Sequence, residues 1–349
     1  MKKAKETAKK SEKFDFTLQE DTSLNLASSI LKHYGIESEN SGLSQADGLL
    51  TRNYPHIVVV MIENLGMKVM EENLNYRDFF NRHLLTDYKC TFPGTSRANK
   101  EAFLYESLPS ATLKDKGKTE EKESIIEKIN KSGKAKAEFI EQDQAAPFKS
   151  IYDFTGKIKK SLKTNENTFT FAVWTCPDKL LNDQGYKTKE ANKYINEINT
   201  AIYDLCEDCK NTLFFITGDH GLKEIQNVFL EEDYPELMEL QEKAPLIEER
   251  SIQFFVSSKN QKKFREMFNR FFEEDYLLTE DFTAYAKGSR TIVLNKKEKT
   301  FRALGGGITE DELKIPLIWY ENRPKKTGLI IYYTIIALIV FFIGYLIFV

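Results

Sequence analysis

Cysteine and histidine are scarce in this sequence, and their scarcity excludes several kinds of site. The chain has 349 residues but only four of each. Four irregularly spaced cysteines are too few for the disulfide framework of a small secreted protein. Cys206 and Cys209 have the spacing of a metal or redox motif, but they lack a second pair and lie in a helical pattern. We therefore expect these two cysteines to belong to the surface and core of a helix.

An excess of charge of one sign is also missing. The 50 basic and 53 acidic residues give a net charge of −3, which argues against a dedicated nucleic-acid binder. Residues 1–20 are charged, and no apolar run follows their lysines, so they do not resemble a secretory signal. We expect a disordered N-terminal tail and no nucleic-acid partner.

A single long apolar run lies at residues 328–349. These 22 residues carry no charge and are long enough to cross the hydrocarbon core of a bilayer. Arg323, Lys325 and Lys326 precede them within a basic linker at 321–327. Because positive charge stays on the cytoplasmic side, we expect a single-pass transmembrane tail anchor and a globular domain in the cytoplasm.

Between the tail and the linker, residues 21–320 have the pattern of an α/β domain. Continuous apolar runs predict buried strands at 56–62, 168–175 and 212–218, and an amphipathic helix at 188–210 joins the last two. We expect a mostly parallel sheet with helices on both faces. A charged insertion near 110–147 is most simply a solvated loop with a surface helix.

Metal-binding side chains follow two of these predicted strands. Glu63 comes directly after the first, and Asp219 and His220 come after the third. The carboxyl ends of parallel strands meet at one edge of a sheet, where carboxylates and an imidazole can hold a divalent cation. The simpler alternatives are that Glu63 caps the next helix and that Asp219 and His220 form a turn.

A hydroxyl group precedes the predicted helix that begins near residue 98. Pro93 and Gly94 predict a turn, and Thr95 then stands where a helix begins. Such a threonine can cap the helix, or it can act as a nucleophile beside free N–H groups that favour a phosphate. The residues alone favour the cap.

Several segments, taken in order, resemble the alkaline phosphatase superfamily in its type I phosphodiesterase/nucleotide pyrophosphatase branch. The resemblance extends over roughly residues 21–320 and implies an alkaline-phosphatase-like core. The family has a glycine- and aromatic-rich loop near the substrate where this chain has its charged insertion. The matching segments are residues 57–66, 80–84, 92–96, 176–185, 215–221, 234–237, 245–250 and 305–318.

The resemblance implies two metal positions. The first would be held by Glu63, Thr95, Asp219 and His220, with Thr95 as the nucleophile. Because the match around Thr95 is short and could shift by a residue, Thr91 and Ser96 are alternative nucleophiles. The residues at the implied second position are Asp178, Asn182 and Gly305, where the family has an aspartate and two histidines.

The second position lacks its usual ligands, since glycine offers no side chain and an asparagine oxygen binds zinc poorly. We therefore expect one divalent cation, Mn²⁺, Mg²⁺ or Zn²⁺, and no second metal. Oxygen-rich ligands favour Mn²⁺ or Mg²⁺ over zinc. Asn64 and Arg97 are candidate phosphate contacts.

Three interpretations remain from the sequence. The chain is a membrane-anchored, single-metal phosphoesterase or phosphotransferase that acts on a phosphoester or a lipid phosphate. Alternatively, it is a catalytically degenerate pseudoenzyme that serves as a membrane-tethered binding or scaffold domain. The third interpretation, an unrelated membrane-anchored α/β domain, requires that Glu63, Thr95, Asp219 and His220 lie apart.

Overall fold

The computed structural model describes residues 21–108, 122–143, 147–175 and 179–323. The predicted N-terminal tail, the predicted membrane anchor and Asp178 lie outside these residues. Within the described ranges, no helix is long and apolar enough to cross a membrane.

The described residues form a mixed α/β structure. The strands are, in chain order, β1 His56–Ile62, β2 Leu84–Lys89, β3 Lys136–Ile140, β4 Thr168–Trp174, β5 Thr212–Gly218, β6 Lys223–Glu224, β7 Gln226–Phe229, β8 Gln241–Glu248, β9 Ser251–Val256, β10 Tyr276–Leu278, β11 Thr283–Ala286, β12 Arg290–Val293, β13 Ala303–Leu304 and β14 Lys314–Asn322. The helices are α1 Ser23–His33, α2 Ser44–Leu50, α3 Met67–Asn73, α4 Phe79–Arg82, α5 Ser96–Tyr105, α6 Ile125–Ser132, α7 Ile151–Ser161, α8 Leu180–Gln184, α9 Lys189–Asp208, α10 Leu230–Asp233, α11 Pro235–Met238, α12 Gln261–Phe272 and α13 Glu310–Leu313.

A six-stranded sheet forms the centre, with the strand order β2-β14-β5-β1-β4-β3. The neighbours β5, β1, β4 and β3 run parallel, and α9 connects β4 to β5 as the βαβ pattern predicts. Strand β14 runs antiparallel to both β5 and β2. The α/β class is therefore confirmed, and the sheet is mixed because the last strand enters it in the reverse direction.

Alternate residues of β1 face two separate helical layers. Val58, Val60 and Ile62 belong to the apolar cluster that includes buried residues of α3, α7 and α9. Ile57 and Met61 belong to the cluster that includes residues of α1, α2, α5 and α6. Successive side chains of a strand point to opposite faces, so a strand covered on both sides is apolar throughout. Helices on both faces of the sheet explain the continuous apolar run at 57–62.

Part of the charged insertion belongs to the central sheet. Strand β3 pairs in parallel with β4 at the sheet edge, and α6 packs beside it. Helix α6 begins with a capping box in which Ser124 and Glu127 satisfy each other's backbone N–H groups. The charges of Lys136 and Glu138 hid this strand in the sequence, whereas a surface helix in the insertion was expected and α6 is present.

A second sheet, with the order β10-β11-β9-β8, is antiparallel and packs against α12. Phe264, Phe268 and Phe272 are fully buried at helical spacing, as expected of a core stripe. Cys206 lies in α9 and is buried in the core, whereas Cys209 is the residue that caps the end of α9 and is half-buried; both are free thiols. The expectation that these cysteines belong to a helix is confirmed for Cys206, and Cys209 lies at the helix end.

Candidate active site

The ends of β1 and β5 lie side by side and place the predicted metal ligands together. Ile62 pairs with Gly218, so Glu63 and Asp219 both follow the end of their strand at the same edge. One carboxylate oxygen of Asp219, Oδ1, accepts the backbone N–H of Asn64 at 2.8 Å and that of His220 at 2.7 Å. These two hydrogen bonds fix the carboxylate and join the two strand ends.

The ring of His220 is held in one orientation. Its Nδ1 lies 2.8 Å from the carbonyl oxygen of Gly221, so Nδ1 donates its proton there. In a neutral ring this leaves Nε2 as an acceptor or a metal ligand. Nε2 lies 3.2 Å from the hydroxyl oxygen of Ser96 and 3.8 Å from Oδ2 of Asp219. His220 is only 2% exposed, so these contacts are made out of bulk water.

The two neighbouring hydroxyl groups at the start of α5 have different surroundings. Thr95 is the N-cap residue, and its side-chain oxygen accepts the backbone N–H of Ala98 at 3.3 Å. Ser96 instead lies between Glu63 and His220, with 3.5 Å between its Oγ and Oε1 of Glu63. Among the three candidate nucleophiles Thr91, Thr95 and Ser96, Ser96 is the one whose hydroxyl contacts Glu63 and His220.

Thr91 is remote from this cluster. It is fully buried, and its hydroxyl is 2.8 Å from the hydroxyl of Ser23. Its backbone N–H donates to the side-chain oxygen of Asn99. Thr91 therefore joins α1 to α5 rather than lining the site.

The cluster has a strongly negative potential. Burial lowers the pKa of His220, but Asp219, Glu249, the hydrogen bond to Gly221 and Glu63 raise it, with a net rise to about 9. A buried imidazole with such a pKa retains its proton at neutral pH. The site therefore attracts positive charge, which a proton or a metal cation can supply.

Glu63, Asp219 and His220 form a set of ligands for a single cation only when the hydroxyl of Ser96 is included. In the described part of the chain, no three His, Cys, Asp or Glu side chains already form a group that could hold a metal. Metal bonds of about 2.0–2.2 Å place neighbouring ligand atoms roughly 3–3.5 Å apart. The distances from Ser96 to His220 and Glu63, 3.2 and 3.5 Å, lie in that range, and the 3.8 Å from Asp219 to His220 is slightly longer.

The two described residues at the implied second metal position, Asn182 and Gly305, make contacts with other residues. The side chain of Asn182 accepts from Asn64 and donates to the carbonyl of Ala303, both at 3.2 Å. Gly305 lies against the ring of His220, and a Cβ added to it would be 2.3 Å from Nδ1. A histidine at position 305 would displace the ring of His220. Asn182 and Gly305, as they are placed here, therefore do not supply the histidine ligands that the resemblance implies.

A cavity of about 410 Å³ opens beside these groups. It has a polar end at the strand edge and an apolar wall made by β8, β12 and the segment after β12. Arg97 is exposed on α5 and is not among the lining residues. Those residues are Glu63, Asn64, Ser96, Lys179, Asn182, His220, Asn227, Pro245, Ile247, Glu249, Thr291, Ile292, Val293, Leu294, Glu298, Lys299, Phe301 and Leu304.

Known proteins match most of this chain. A family model described as Type I phosphodiesterase / nucleotide pyrophosphatase matches residues 86–299. Among solved structures, mouse ectonucleotide pyrophosphatase / phosphodiesterase 5 has a TM-score of 0.56 and 14% sequence identity, covering 77% of this chain and 88% of its own.

Two further structures share this fold. An inactive variant of the mouse protein in complex with AMP has a TM-score of 0.56 at 13% identity, covering 76% of this chain and 88% of its own. The human protein has a TM-score of 0.51 at 14% identity, covering 77% and 88%. No curated protein sequence matches the chain.

Proposed function

Because the chain belongs to the type I phosphodiesterase/nucleotide pyrophosphatase family, we propose that it is a phosphoesterase with a serine nucleophile and a single divalent cation. The resemblance found in the sequence is thereby confirmed. The observation that carries the proposal is the position of Ser96, whose Oγ contacts both Glu63 and His220. Thr95, which the resemblance implied as the nucleophile, is the N-cap residue of α5, and its hydroxyl accepts the backbone N–H of Ala98.

In this proposal, Glu63, Asp219 and His220 hold the cation, with Ser96 completing the set. When bound, a divalent cation lowers the pKa of a hydroxyl group and offsets the charge of a phosphoryl group. Mn²⁺ and Mg²⁺ suit the mainly oxygen donors better than Zn²⁺ does. The two backbone hydrogen bonds to Asp219 keep its second oxygen turned toward His220.

In this proposal, side chains of the protein perform the phosphoryl transfer. Ser96 Oγ forms a bond to phosphorus while the bond from phosphorus to the leaving oxygen breaks, which produces a phosphoserine that water hydrolyses. Glu63, whose Oε1 is 3.5 Å from Ser96 Oγ, accepts the serine proton. The N-terminus of α5 directs its backbone dipole toward the phosphoryl group.

The apolar wall supports a substrate that carries an apolar group. Pro245, Ile247 and Ile292 line the same cavity as Glu63, Ser96 and His220. A phosphoester with an acyl or alkyl group, such as a lipid phosphate, matches both ends. We propose that residues 328–349 anchor the protein in a membrane with this domain in the cytoplasm, next to such substrates.

A second candidate function is a membrane-tethered binding or scaffold domain without activity. The specific observation in its favour is that Asn182 and Gly305 replace two histidines of the family's second metal position. Asn182 is already hydrogen-bonded to Asn64 and Ala303, and Gly305 is covered by His220.

The two functions are separated by turnover measurements on the full chain in detergent. Hydrolysis of p-nitrophenyl phosphate and of bis(p-nitrophenyl) phosphate is followed with Mn²⁺, Mg²⁺, Zn²⁺ or EDTA. Cation-dependent turnover that Ser96→Ala removes supports the phosphoesterase. Cation binding without turnover of either ester supports the binding domain. A nucleotide ester tested beside an ester with a long alkyl chain then decides whether the apolar wall selects the substrate.

A further inference from the structure

Five strands of the central sheet have one end in a common row, at the edge opposite the candidate active site. Lys136 at the start of β3 is aligned with Thr168 of β4, and Thr168 is aligned with His56 of β1. His56 is aligned with Thr212 of β5, which pairs with Asn322 at the end of β14. Because neighbouring strands are about 4.8 Å apart, this row is roughly 20 Å wide.

Backbone hydrogen bonds join the loops along this row. The N–H of the first residue of β3 donates to the carbonyl of Asn167 at 2.8 Å, and that of the first residue of β4 donates to the carbonyl of Pro55 at 2.8 Å. The N–H of Asn211 donates to the carbonyl of Asn322 at 2.6 Å. The loops that precede β1, β3, β4 and β5 therefore lie side by side with the end of β14.

The charge in these segments is mainly positive. Residues 51–55, 133–136, 162–167, 209–211 and 321–323 contain two acidic side chains, Glu166 and Glu321. Glu321 pairs with Arg52 at 3.4 Å and also with Arg323. We call the six basic residues of these segments the basic edge, and all of them are exposed: Arg52, Lys134, Lys136, Lys163, Lys210 and Arg323.

Most of the basic edge is available to a partner outside the domain. Lys134, Lys136, Lys163 and Lys210 have no ion-pair partner within the part of the chain that the structure describes. A row of exposed, unpaired lysines attracts an anionic surface.

The opposite edge of the sheet is acidic. Glu63 and Asp219 follow β1 and β5 there, and Glu249 lines the same cavity, with an Oε2 that is buried and has no hydrogen-bond partner among the described residues. At about 3.3 Å per residue, the seven residues of β1 separate the two edges by roughly 20 Å. An anionic surface therefore attracts the basic edge and repels the edge with the cavity.

The proposed tail anchor follows directly from the basic edge. Asn322 lies in the row of strand ends, and residues 323–327, which include Lys325 and Lys326, lead to the apolar run at 328–349. Five residues span at most about 18 Å when fully extended, which is less than the separation of the two edges. A membrane that holds the tail therefore lies beside the basic edge.

We propose that the basic edge docks on the anionic lipid surface of the membrane that holds residues 328–349, with the cavity facing away from it. This inference rests on the proposed function, which supplies the anchor and the phosphoesterase. Anionic lipids of the cytoplasmic leaflet attract basic residues next to a membrane span. A nucleic acid fits less well, because the net charge is −3 and the basic edge adjoins the tail. The phosphoester substrate then reaches the cavity from outside the protein's own membrane.

Hydrogen–deuterium exchange of the full chain in lipid discs tests the docking. In discs with phosphatidylserine, segments 51–55, 133–136, 162–167 and 209–211 should exchange at least about fivefold more slowly than in discs of phosphatidylcholine alone. Segments 63–66 and 219–222, at the cavity, should exchange equally in both. Salt at about 1 M should remove the difference, because it limits electrostatic attraction to about 3 Å.

Reversal of charge gives a matched comparison between two variants with the same change in net charge. The basic-edge variant combines Lys134→Glu, Lys163→Glu and Lys210→Glu and should lose the protection by phosphatidylserine. The control combines three exposed lysines at the start of α12 and should keep it: Lys259→Glu, Lys262→Glu and Lys263→Glu.

Three results of these exchange measurements would overturn the docking. The first is equal protection in both kinds of disc, and the second is protection that persists in the basic-edge variant. The third is protection of the same segments by an oligonucleotide in place of phosphatidylserine, which would assign the basic edge to a nucleic acid.

The dependence of turnover on dilution tests which way the cavity faces. A phosphoester with long alkyl chains is placed in the same discs as the protein. If the cavity faces away, the protein reaches only the ester of other discs, so diluting the discs tenfold should lower turnover per protein by about tenfold. Turnover that does not change on dilution would show that the cavity reaches its own membrane, contrary to the proposed orientation.

Failure of this inference and failure of the proposed function give different results. A protein that does not enter lipid discs refutes the tail anchor, and the docking with it. A protein that enters discs but hydrolyses no ester refutes the phosphoesterase, while the exchange measurement still decides whether the basic edge docks.

Discussion

The hydroxyl oxygen of Ser96 lies 3.2 Å from Nε2 of His220, at the first residue of helix α5. The contact joins an element from the first half of the chain to the end of strand β5. Ser96 also contacts Glu63 at the end of β1. Three separate segments therefore converge on one hydroxyl group, which is the arrangement that a serine nucleophile requires.

The first prediction separates Ser96 from its neighbour Thr95. Ser96→Ala should remove phosphoesterase activity and leave the thermal unfolding midpoint nearly unchanged. Thr95→Ala should retain activity but lose the cap of α5, at a cost of about 1 kcal/mol in the free energy of unfolding. Turnover and denaturant unfolding of both variants check this. Full activity of Ser96→Ala together with an inactive Thr95→Ala would assign the nucleophile to Thr95.

The second prediction concerns the cation. Titration calorimetry with Mn²⁺ should show one site per chain, and Asp219→Ala or His220→Ala should abolish it. The control is Asp208→Asn at the end of α9, where the carboxylate pairs with Lys159 and is 65% exposed. Since Asp208 precedes β5 and the site follows it, the control should bind Mn²⁺ normally. Unchanged binding in both site variants would contradict the assignment.

The sequence predicted the placement of some of these residues better than that of others. Glu63, Asp219 and His220 were expected at one edge of the sheet because each follows a continuous apolar run, and parallel strands end at a common edge; the structure places them there. The choice between Thr95 and Ser96 depends on the residue at which α5 begins. If the helix began one residue later, Ser96 would be the N-cap residue in place of Thr95. Glu249 belongs to the matching segment 245–250, but its place at the cavity was not predicted because it depends on the turn between β8 and β9.

The same contrast holds for the fold. The central strands β1, β4 and β5 are apolar throughout and were predicted directly. Strand β3 was missed because it is a short edge strand that is only partly buried and carries charged residues. Edge strands commonly carry charge, which blocks pairing with other chains and also weakens the sequence signal.

The third prediction concerns the fit of Gly305 against His220. Gly305→Ala should lower the free energy of unfolding by about 1–3 kcal/mol, because its Cβ would collide with the imidazole ring. It should also reduce turnover by displacing His220. The control, Gly48→Ala, lies within α2 with no neighbouring atom within 4 Å of the added Cβ. Alanine there should be neutral or stabilise the protein by up to about 1 kcal/mol. Equal effects of the two substitutions would refute the packing argument.

The fourth prediction concerns the ion pair beneath the Glu249 turn. Arg250 and Glu312 are both fully buried, so Arg250→Met would leave a buried carboxylate without its charge partner. We expect a loss of about 3–5 kcal/mol in the free energy of unfolding. The comparable change in an exposed pair, Lys187→Met opposite Glu224, should cost about 0–1 kcal/mol. Urea unfolding of both variants measures the difference, and similar costs would show that burial does not strengthen the Arg250 pair.

The last prediction is a stability profile that reports on Glu249 without any substrate. Its folded pKa of about 6 lies above its ordinary value of 4.5, so the folded state favours the protonated carboxyl group. The cost of ionising this group is therefore absent below about pH 4.5, grows between pH 4.5 and 6, and is complete above that range. In metal-free protein, Glu249→Gln should match the unaltered chain near pH 4.5 and exceed its free energy of unfolding by about 1–2 kcal/mol at pH 7. Urea unfolding at both pH values checks this, with Glu242→Gln, at an exposed position of β8, as the control. A variant that is less stable at pH 7 would show that the ionised carboxylate is well accommodated, contrary to its buried, unpartnered position.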